Sequence, residues 1–258
     1  MSIKPASGTI SFVHVRRRFG FRSIGVGRWV SRDEQAWAAQ QFYQALDDLM
    51  QVLTGTEELI SLRGALSFHY GIGGQPGVAA HYSPAQHCLA LAKNAGPGSL
   101  AHEWFHALDH YLAGKAFQRP RPGVFASKAW LVGDTPVPHP LNDRLFACFK
   151  AILLSEDGTG PSEQFQASAA EDEARGHIYY SLPEECCARA FEAFVQDAAR
   201  GNGFLVKGTR ATSEARLGLY PRGAQRERIN GAFRYYFQGL GAALKRDADR
   251  HPGAESGR

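Results

Sequence analysis

The sequence predicts an α+β domain in which a small antiparallel or mixed sheet lies beside one central helix, and further helices form a helical lower half. Three observations support this class. Residues 59–70 alternate in part between apolar and polar types and residues 88–92 form a short apolar run, so both are predicted strands. A breaker-rich loop then leads into residues 100–112, where neither Gly nor Pro interrupts a helical pattern. Amphipathic helical patterns follow in the second half of the chain.

The chain contains 258 residues, 44% of them hydrophobic, which is enough to bury one large core. No apolar run approaches the roughly 18 residues of a membrane span. Residues 1–9 lack the apolar stretch of a secretory signal. The four cysteines include the adjacent pair Cys186 and Cys187 and form no CxxC motif, so no disulfide framework is expected. We therefore expect a cytoplasmic bacterial protein without a membrane anchor.

The first 32 residues are basic, because they contain seven Lys or Arg residues and no acid. We expect residues 1–18 to form a basic arm, residues 19–246 a single domain and residues 247–258 a disordered tail. Such an arm indicates contact with nucleic acid or an acidic partner. The alternative is a solvated segment whose arginines pair with acids elsewhere. No helix-turn-helix, zinc-finger or RNA-binding pattern accompanies the arm.

Capping patterns and breakers predict where the other helices begin and end. Ser31 and Glu34 form a capping box that opens a helix ending near Leu53. Residues 71–74 are Gly-rich, but no helix with a Lys-Ser/Thr pair follows, so a phosphate-binding loop is not expected. The later elements are a loop over residues 114–140, a helix over 141–154, a polar flexible segment over 155–176, a helix opened by a capping box at 181–184 and ending near Arg200, and a last helix over 225–246.

The most specific motif lies in the central helix, where residues 102–106 read His-Glu-Trp-Phe-His. Positions four apart in a helix lie about 40° apart on one face, so both imidazoles of this HExxH motif can reach one point. Ser99 is the predicted N-cap of this helix. Two such histidines bind zinc in metallopeptidases, and the glutamate between them acts as general base. The sequence therefore predicts a Zn²⁺ site with His102 and His106 as ligands and Glu103 as catalytic base.

Other residues on the same side of the central helix indicate how the ligands are held. Asp109 and His110 lie near His102 on the helical wheel, whereas apolar residues lie opposite. A carboxylate near a ligating imidazole commonly accepts its second N–H and fixes its orientation. We expect Asp109 to act in this way.

A catalytic zinc needs a third protein ligand from outside the HExxH helix. Spacing leaves several candidates open in the later helices. Glu185, Ala188 and Glu192 lie on one side of their predicted helix, and the small Ala188 permits close approach. The candidates are His177, Glu184, Glu185 and Glu192, with His139 and Cys186 less favoured.

Several segments occur in an order that is similar to a known family. They are FGFRSIGVGRWVS (19–31), ISLRGALSF (60–68), AHYSP (80–84), LALAKNAGPGSLAHEWFHALDHY (89–111) and EECCARAFEAF (184–194). Over roughly residues 12–240 the chain resembles the CLCA_X family of bacterial proteins. It also resembles the first of the large polyvalent protein-associated domains, which occur in phage and conjugative-element proteins.

That resemblance implies a zincin-like metallopeptidase fold with a glutamate as third ligand, as in gluzincins. It selects Glu185 as the ligand and leaves Glu192 in a supporting role. The chain differs from the family pattern at His110, where Asn is expected, and at Cys186 and Cys187, where bulkier apolar residues are expected. The family pattern falls on Glu185, Ala188, Arg189, Phe191 and Glu192.

The combined expectation is a zinc-dependent metallopeptidase that hydrolyses peptide or protein substrates. Glu103 takes a proton from the attacking water. Developing charge on the carbonyl oxygen needs a hydrogen-bond donor. Tyr179, Tyr180 and His177 are the candidates, and we expect Tyr180 to act as this catalytic donor. The alternatives are a hydrolase for another substrate class and a non-enzymatic, zinc-stabilised binding module of phage or mobile-element origin.

Overall fold

The structure is a computed structural model that describes residues 10–72, 80–92, 98–199 and 201–250. Helices and one four-stranded sheet in these ranges confirm the α+β class. The helices are α1 (Phe12–Phe19), α2 (Arg32–Val52), α3 (Glu57–Ile60), α4 (Leu100–Ala116), α5 (Ala126–Leu131), α6 (Pro140–Leu153), α7 (Glu163–Arg175), α8 (Pro183–Ala198), α9 (Ser213–Arg216) and α10 (Gly223–Arg250). The strands are β1 (Ile24–Val26), β2 (Ser67–Tyr70), β3 (Ala80–Ser83) and β4 (Cys88–Leu91).

The sheet is mixed and has the strand order β1-β2-β4-β3. Strands β1, β2 and β4 are parallel, and β3 pairs antiparallel with β4 in the register Tyr82 to Leu89. Helices α1 and α2 cover one part of the sheet, where the Phe42 and Phe68 ring centroids lie 4.5 Å apart. Strands β3 and β4 also contact α4. The small sheet therefore lies beside the HExxH helix, as predicted.

Helix α4 connects the sheet to the helical half of the molecule. The buried Trp104 indole donates a hydrogen bond to the Ile60 carbonyl at 2.9 Å. Phe105 stacks on Phe191 of α8 with ring centroids 4.9 Å apart. Phe191 in turn packs edge-on against Phe233 of α10 at 5.7 Å. These aromatic contacts fix α4 against α8, which is the pair of helices that builds the candidate site.

The turn that leads into α4 depends on a glycine at position 98. Gly98 has a φ of 109°, and a Cβ built there would lie 2.2 Å from the Lys207 backbone nitrogen. Its N–H donates to the Phe204 carbonyl at 3.0 Å, and the Ala101 N–H donates to the Leu205 carbonyl at 3.2 Å. A side chain at position 98 would force these segments apart. The start of α4 is thereby tied to residues 204–207.

The strand predicted over residues 59–70 is wrong in its first half. Residues 57–60 form α3, and the strand begins only at Ser67. Between them Leu62 and Arg63 adopt positive φ angles of 53° and 58°, which no extended strand contains. Buried Leu59, Ile60 and Leu62 produced an apolar pattern that fits a tight helical turn as well as a strand.

Two segments predicted to be irregular contain helices. The segment 155–176 includes α7, which Ser162 caps by accepting from the Phe165 N–H at 3.1 Å. Its buried face carries Gln164, Ser168 and Asp172, so apolar periodicity did not reveal it. Within 114–140, α4 continues to Ala116, and α5 follows.

The two predicted capping boxes have different outcomes. The box of Ser31 and Glu34 is confirmed, because each side chain binds the other residue's backbone N–H. The box at residues 181–184 is wrong. Leu182 is the N-cap of α8, and the Ser181 hydroxyl donates instead to Asp172 at 2.6 Å.

The second half of the predicted basic arm belongs to the core of the domain. Phe12, Val15 and Phe19 of α1 are buried in the same core as the sheet. Arg18 pairs with Asp47 and Glu57, so for Arg18 the pairing alternative is confirmed. The prediction that residues 1–18 form a separate arm did not foresee this helix. Residues 1–9 lie outside the described ranges.

The last helix, α10, completes the described architecture. Helix α10 continues to Arg250, four residues beyond the predicted end at Arg246. Most of the predicted tail, residues 251–258, lies outside the described ranges. Among the described helices, none combines the length and the apolarity needed to cross a bilayer.

Candidate metal centre

Helices α4 and α8 bring three metal-binding side chains to one point. The Nε2 atoms of His102 and His106 lie 3.0 Å apart. The Glu185 carboxylate lies 3.5 Å from His102 Nε2 and 3.2 Å from His106 Nε2. All three ligand atoms fall within 4.8 Å of one another. We call His102, His106 and Glu185 the triad.

Of the other candidates for the third ligand, Glu192 contacts His102 through the other ring nitrogen, and the remaining four fall outside the triad. His139 accepts the Leu141 N–H at the start of α6, at 3.2 Å. His177 is exposed, and its ring nitrogen lies 3.4 Å from the Arg175 carbonyl oxygen. Cys186 lies with its thiol 3.3 Å from the Tyr180 carbonyl oxygen. Glu184 belongs to no metal-binding group found among the described residues.

The separations within the triad fit a small tetrahedral cation. Nitrogen and oxygen ligands bind zinc at about 2.0–2.2 Å, so two ligand atoms at adjacent corners of a tetrahedron lie about 3.3 Å apart. The three observed separations, 3.0, 3.2 and 3.5 Å, bracket that value. Two imidazoles and one carboxylate are also a donor set that zinc prefers. The residues present therefore fit Zn²⁺.

The triad is buried, and its members perturb one another. Burial alone would lower the pKa of His102, but hydrogen bonds with the Glu185 and Glu192 carboxylates raise it to about 10. Burial alone would raise the pKa of Glu185, but hydrogen bonds from both histidines hold it far below its usual range. The site therefore favours positive charge next to an ionised Glu185 carboxylate, and a bound cation supplies such a charge.

A second carboxylate of α8 supports His102. Glu192 Oε2 lies 3.0 Å from His102 Nδ1, whereas the Nε2 atom of the same ring faces His106 and Glu185. The same oxygen accepts a hydrogen bond from the Tyr220 hydroxyl at 3.0 Å. This contact fits the supporting role implied for Glu192, because a carboxylate on Nδ1 leaves Nε2 to face a metal. Tyr220 lies in the loop before α10, and no spacing rule pointed to it.

Arg189 supports the triad's carboxylate from one helical turn away. Its guanidinium donates to Glu185 Oε2 at 3.1 Å, and both side chains are buried. The same guanidinium lies over the rings of Tyr179 and Tyr180, at 5.5 and 4.8 Å from their centroids. Arg189 thus compensates the charge of Glu185 and fixes its rotamer.

Asp109 was predicted to accept the second N–H of a ligating imidazole, but its hydrogen-bond partner is Ser127. Both Asp109 oxygens accept from Ser127, from its N–H at 2.8 Å and its hydroxyl at 2.5 Å. Burial raises the pKa of Asp109 to about 6, although the Ser127 hydrogen bonds oppose the shift. His106 Nδ1 has no hydrogen-bond partner in the described part of the chain. Asp109 therefore anchors the start of α5 to α4 instead of orienting an imidazole.

The two tyrosines that precede α8, Tyr179 and Tyr180, differ in their surroundings. Burial and the nearby carboxylates of Glu185 and Glu103 raise the pKa of Tyr179 well above its usual value. The Arg189 guanidinium that donates to Glu185 also lies over the Tyr179 ring, 5.5 Å from its centroid. The Tyr180 ring instead lies between the guanidinium groups of Arg175 and Arg189, at 4.9 and 4.8 Å. The catalytic role expected for Tyr180 stays a prediction, and these contacts make Tyr179 the second tyrosine to test.

Glu103 lies on α4 between the two histidines and is half-buried. In the described residues no protein group hydrogen-bonds to its carboxylate, unlike those of Glu185 and Glu192. Its carboxylate oxygens are therefore not engaged by the described protein groups. This arrangement suits a general base.

Asp172 at the end of α7 holds the segment that carries Tyr179. Its carboxylate accepts the backbone N–H groups of Tyr179, Tyr180 and Ser181 at 3.1, 2.8 and 2.8 Å. Burial alone would raise the pKa of Asp172, but these hydrogen bonds and that of the Ser181 hydroxyl lower it. The ionised carboxylate therefore fixes residues 179–181 beside the triad.

We expect Asp172→Asn to lower the free energy of unfolding by about 1–3 kcal/mol at pH 7, because N–H donors then face a neutral amide. A carboxyl group whose pKa is depressed by folding stabilises the protein fully above its unfolded-state pKa of about 3.9. That stabilisation is lost as the pH falls through the folded-state value. Urea unfolding from pH 7 down to pH 3 should show the difference from the parent protein shrinking. A difference that is constant with pH would contradict the assignment.

One family model matches a segment of the chain that contains part of this site. The model of the family described as large polyvalent protein-associated domain 1 matches residues 171–244. That range contains Tyr179, Glu185, Arg189, Glu192 and Tyr220, whereas the HExxH motif of α4 lies before it. No curated protein and no solved structure matches the chain.

Proposed function

We propose that this protein is a zinc-dependent metallopeptidase of the zincin type, with His102, His106 and Glu185 as metal ligands. The observation that carries the proposal is the convergence of the triad from α4 and α8 with tetrahedral spacing. Glu103 is next to a ligand in sequence, and none of the residues that the structure describes hydrogen-bonds to its carboxylate. A site of this composition is typical of catalytic zinc, which keeps one coordination position for water or substrate.

Each residue of the site has a separate role in the proposed hydrolysis. Bound Zn²⁺ would polarise the substrate carbonyl and acidify a water molecule. Glu103 takes the proton from the attacking water and passes it to the leaving amine. Tyr179 donates a hydrogen bond to the carbonyl oxygen as negative charge develops there. Glu185 and the two histidines hold the metal, and Arg189 and Glu192 hold their rotamers.

Peptides and proteins are the substrate class that we propose. Water attack at a polarised carbonyl under a glutamate base is the chemistry of HExxH metallopeptidases. The segment before α8 also carries exposed apolar side chains, since Ile178 is 75% exposed and Tyr179 41% exposed. Such side chains give a peptide an apolar surface to pack against.

The experiment is a hydrolysis assay with a fluorescently labelled, unfolded protein as substrate. We expect cleavage by the zinc-loaded protein, its loss after treatment with a zinc chelator, and its return when zinc is added back. Zinc uptake without cleavage of any unfolded protein would favour the zinc-stabilised binding module. Cleavage that the chelator leaves unchanged would contradict the proposal.

A further inference from the structure

Glu192 and Tyr220 extend the metal centre by two further residues. His102 Nδ1, Glu192 Oε2 and the Tyr220 hydroxyl form a continuous chain with two separations of 3.0 Å. One carboxylate oxygen takes part in both contacts, so both of its lone pairs are used. Glu192 is 6% exposed, and at such a site each hydrogen bond matters because water cannot replace it.

The loop that carries Tyr220 is anchored on both sides of the tyrosine. On one side, the buried Gln164 amide donates to the carbonyls of Leu219 and Cys186, both at 3.1 Å. Cys186 belongs to α8, so this amide fixes the loop directly to the helix of Glu192. On the other side, the buried Arg226 donates to the Pro221 carbonyl at 3.4 Å. The position of the Tyr220 hydroxyl is therefore set by the packing of its neighbours.

The two buried carboxylates of α8 have different donors. Glu185 accepts from Arg189 and faces both Nε2 atoms of the histidines, whereas Glu192 accepts from Tyr220 and faces only Nδ1 of His102. The two glutamates are seven residues apart, which is about two helical turns or 10 Å along α8. The carboxylate that faces the triad is therefore held by Arg189, and the carboxylate that supports His102 is held by Tyr220.

We propose that Tyr220 is a positioning residue for the zinc site. By donating to Glu192, it holds that carboxylate where it accepts the Nδ1–H of His102, and the His102 Nε2 lone pair then faces the triad. This inference rests on the proposed zinc binding. It adds a residue that lies outside the HExxH motif and whose hydroxyl, among the described residues, donates to Glu192 and not to a metal ligand or to Glu103.

The test is the zinc affinity of Tyr220→Phe, measured in the full chain by competition with a chromophoric chelator. We expect affinity to fall about 10–100-fold, the usual cost of losing an outer-shell partner. Circular dichroism of the variant should remain that of the parent. Tyr235→Phe is the matched control, because Tyr235 is 56% exposed and its ring packs against Arg144 of α6, so its substitution should leave zinc affinity unchanged.

A second variant separates positioning from a general loss of stability. Glu192→Gln should weaken zinc binding by itself, and adding Tyr220→Phe to it should cost little more, because the two residues act through one contact. A Tyr220→Phe protein that binds zinc within twofold of the parent would overturn the inference, and so would fully additive losses. If the parent itself takes up no zinc, the proposed function fails first.

Discussion

Glu103→Gln is expected to keep about one zinc per chain and to lose hydrolysis by a factor of about 10²–10⁴ or more. The amide has the shape of the carboxylate but cannot accept the proton of the attacking water. Because no described residue hydrogen-bonds to Glu103, the substitution should leave the fold and the triad unchanged. Metal analysis and the labelled-protein assay on the same preparation measure both properties.

Glu227→Gln provides the control for this experiment. Glu227 is exposed on α10, so the same change of charge there should leave both zinc content and rate unaltered. Loss of zinc from Glu103→Gln would make Glu103 a ligand or a structural support instead of a base. Full activity in that variant would remove the general base from the mechanism.

Glu185→Gln is expected to reduce zinc content from about one per chain to background and to abolish hydrolysis. A neutral amide is a poor zinc ligand, and the substitution also removes the charge that compensates the buried Arg189. Zinc analysis after dialysis against a buffer without metal measures the first effect. The labelled-protein assay measures the second.

The matched control is the preceding residue, Glu184→Gln. Both glutamates lie in the first turn of α8, where the helix dipole favours a carboxylate to a similar degree. Only Glu185 reaches the histidines, so Glu184→Gln should retain zinc and activity. Equal zinc loss in both variants would show that charge at the helix start, not ligation by Glu185, retains the metal.

The sequence predicted the centre of the site because its geometry is local. His102, Glu103 and His106 lie within about one helical turn, so the helical repeat alone places both imidazoles at one point. Glu185 was different. Spacing left several candidates open, and only a family resemblance selected Glu185, because the packing of α8 on α4 depends on contacts between distant aromatic residues.

The supporting residues were predicted less well. Asp109 had a suitable place on the helical wheel, but α5 brings Ser127 to it, and no rule of spacing predicts that contact. Tyr179 and Tyr180 are neighbours whose backbone N–H groups both donate to Asp172, so their spacing in the sequence does not distinguish them. Tyr220 gave no signal, because the loop that places it is fixed by Gln164 and Arg226.

The fold shows the same division between local and long-range signals. The box of Ser31 and Glu34 located the start of α2 because capping depends on residues three apart. Helix α7 was missed because its buried face carries the polar residues Gln164, Ser168 and Asp172, so apolar periodicity does not mark it. Helix α1 was taken for part of an arm, since its arginines dominated a pattern that also contains Phe12 and Val15.

X-ray absorption spectroscopy of the zinc-loaded protein tests the central claim most directly. The triad predicts nitrogen and oxygen neighbours at about 2.0–2.2 Å, an imidazole scattering pattern for two histidines, and no sulfur. The same spectrum of Glu185→Gln should be that of unbound zinc. A sulfur shell at about 2.3 Å in the parent protein would assign the metal to cysteines and contradict the triad, as would a parent protein that takes up no zinc.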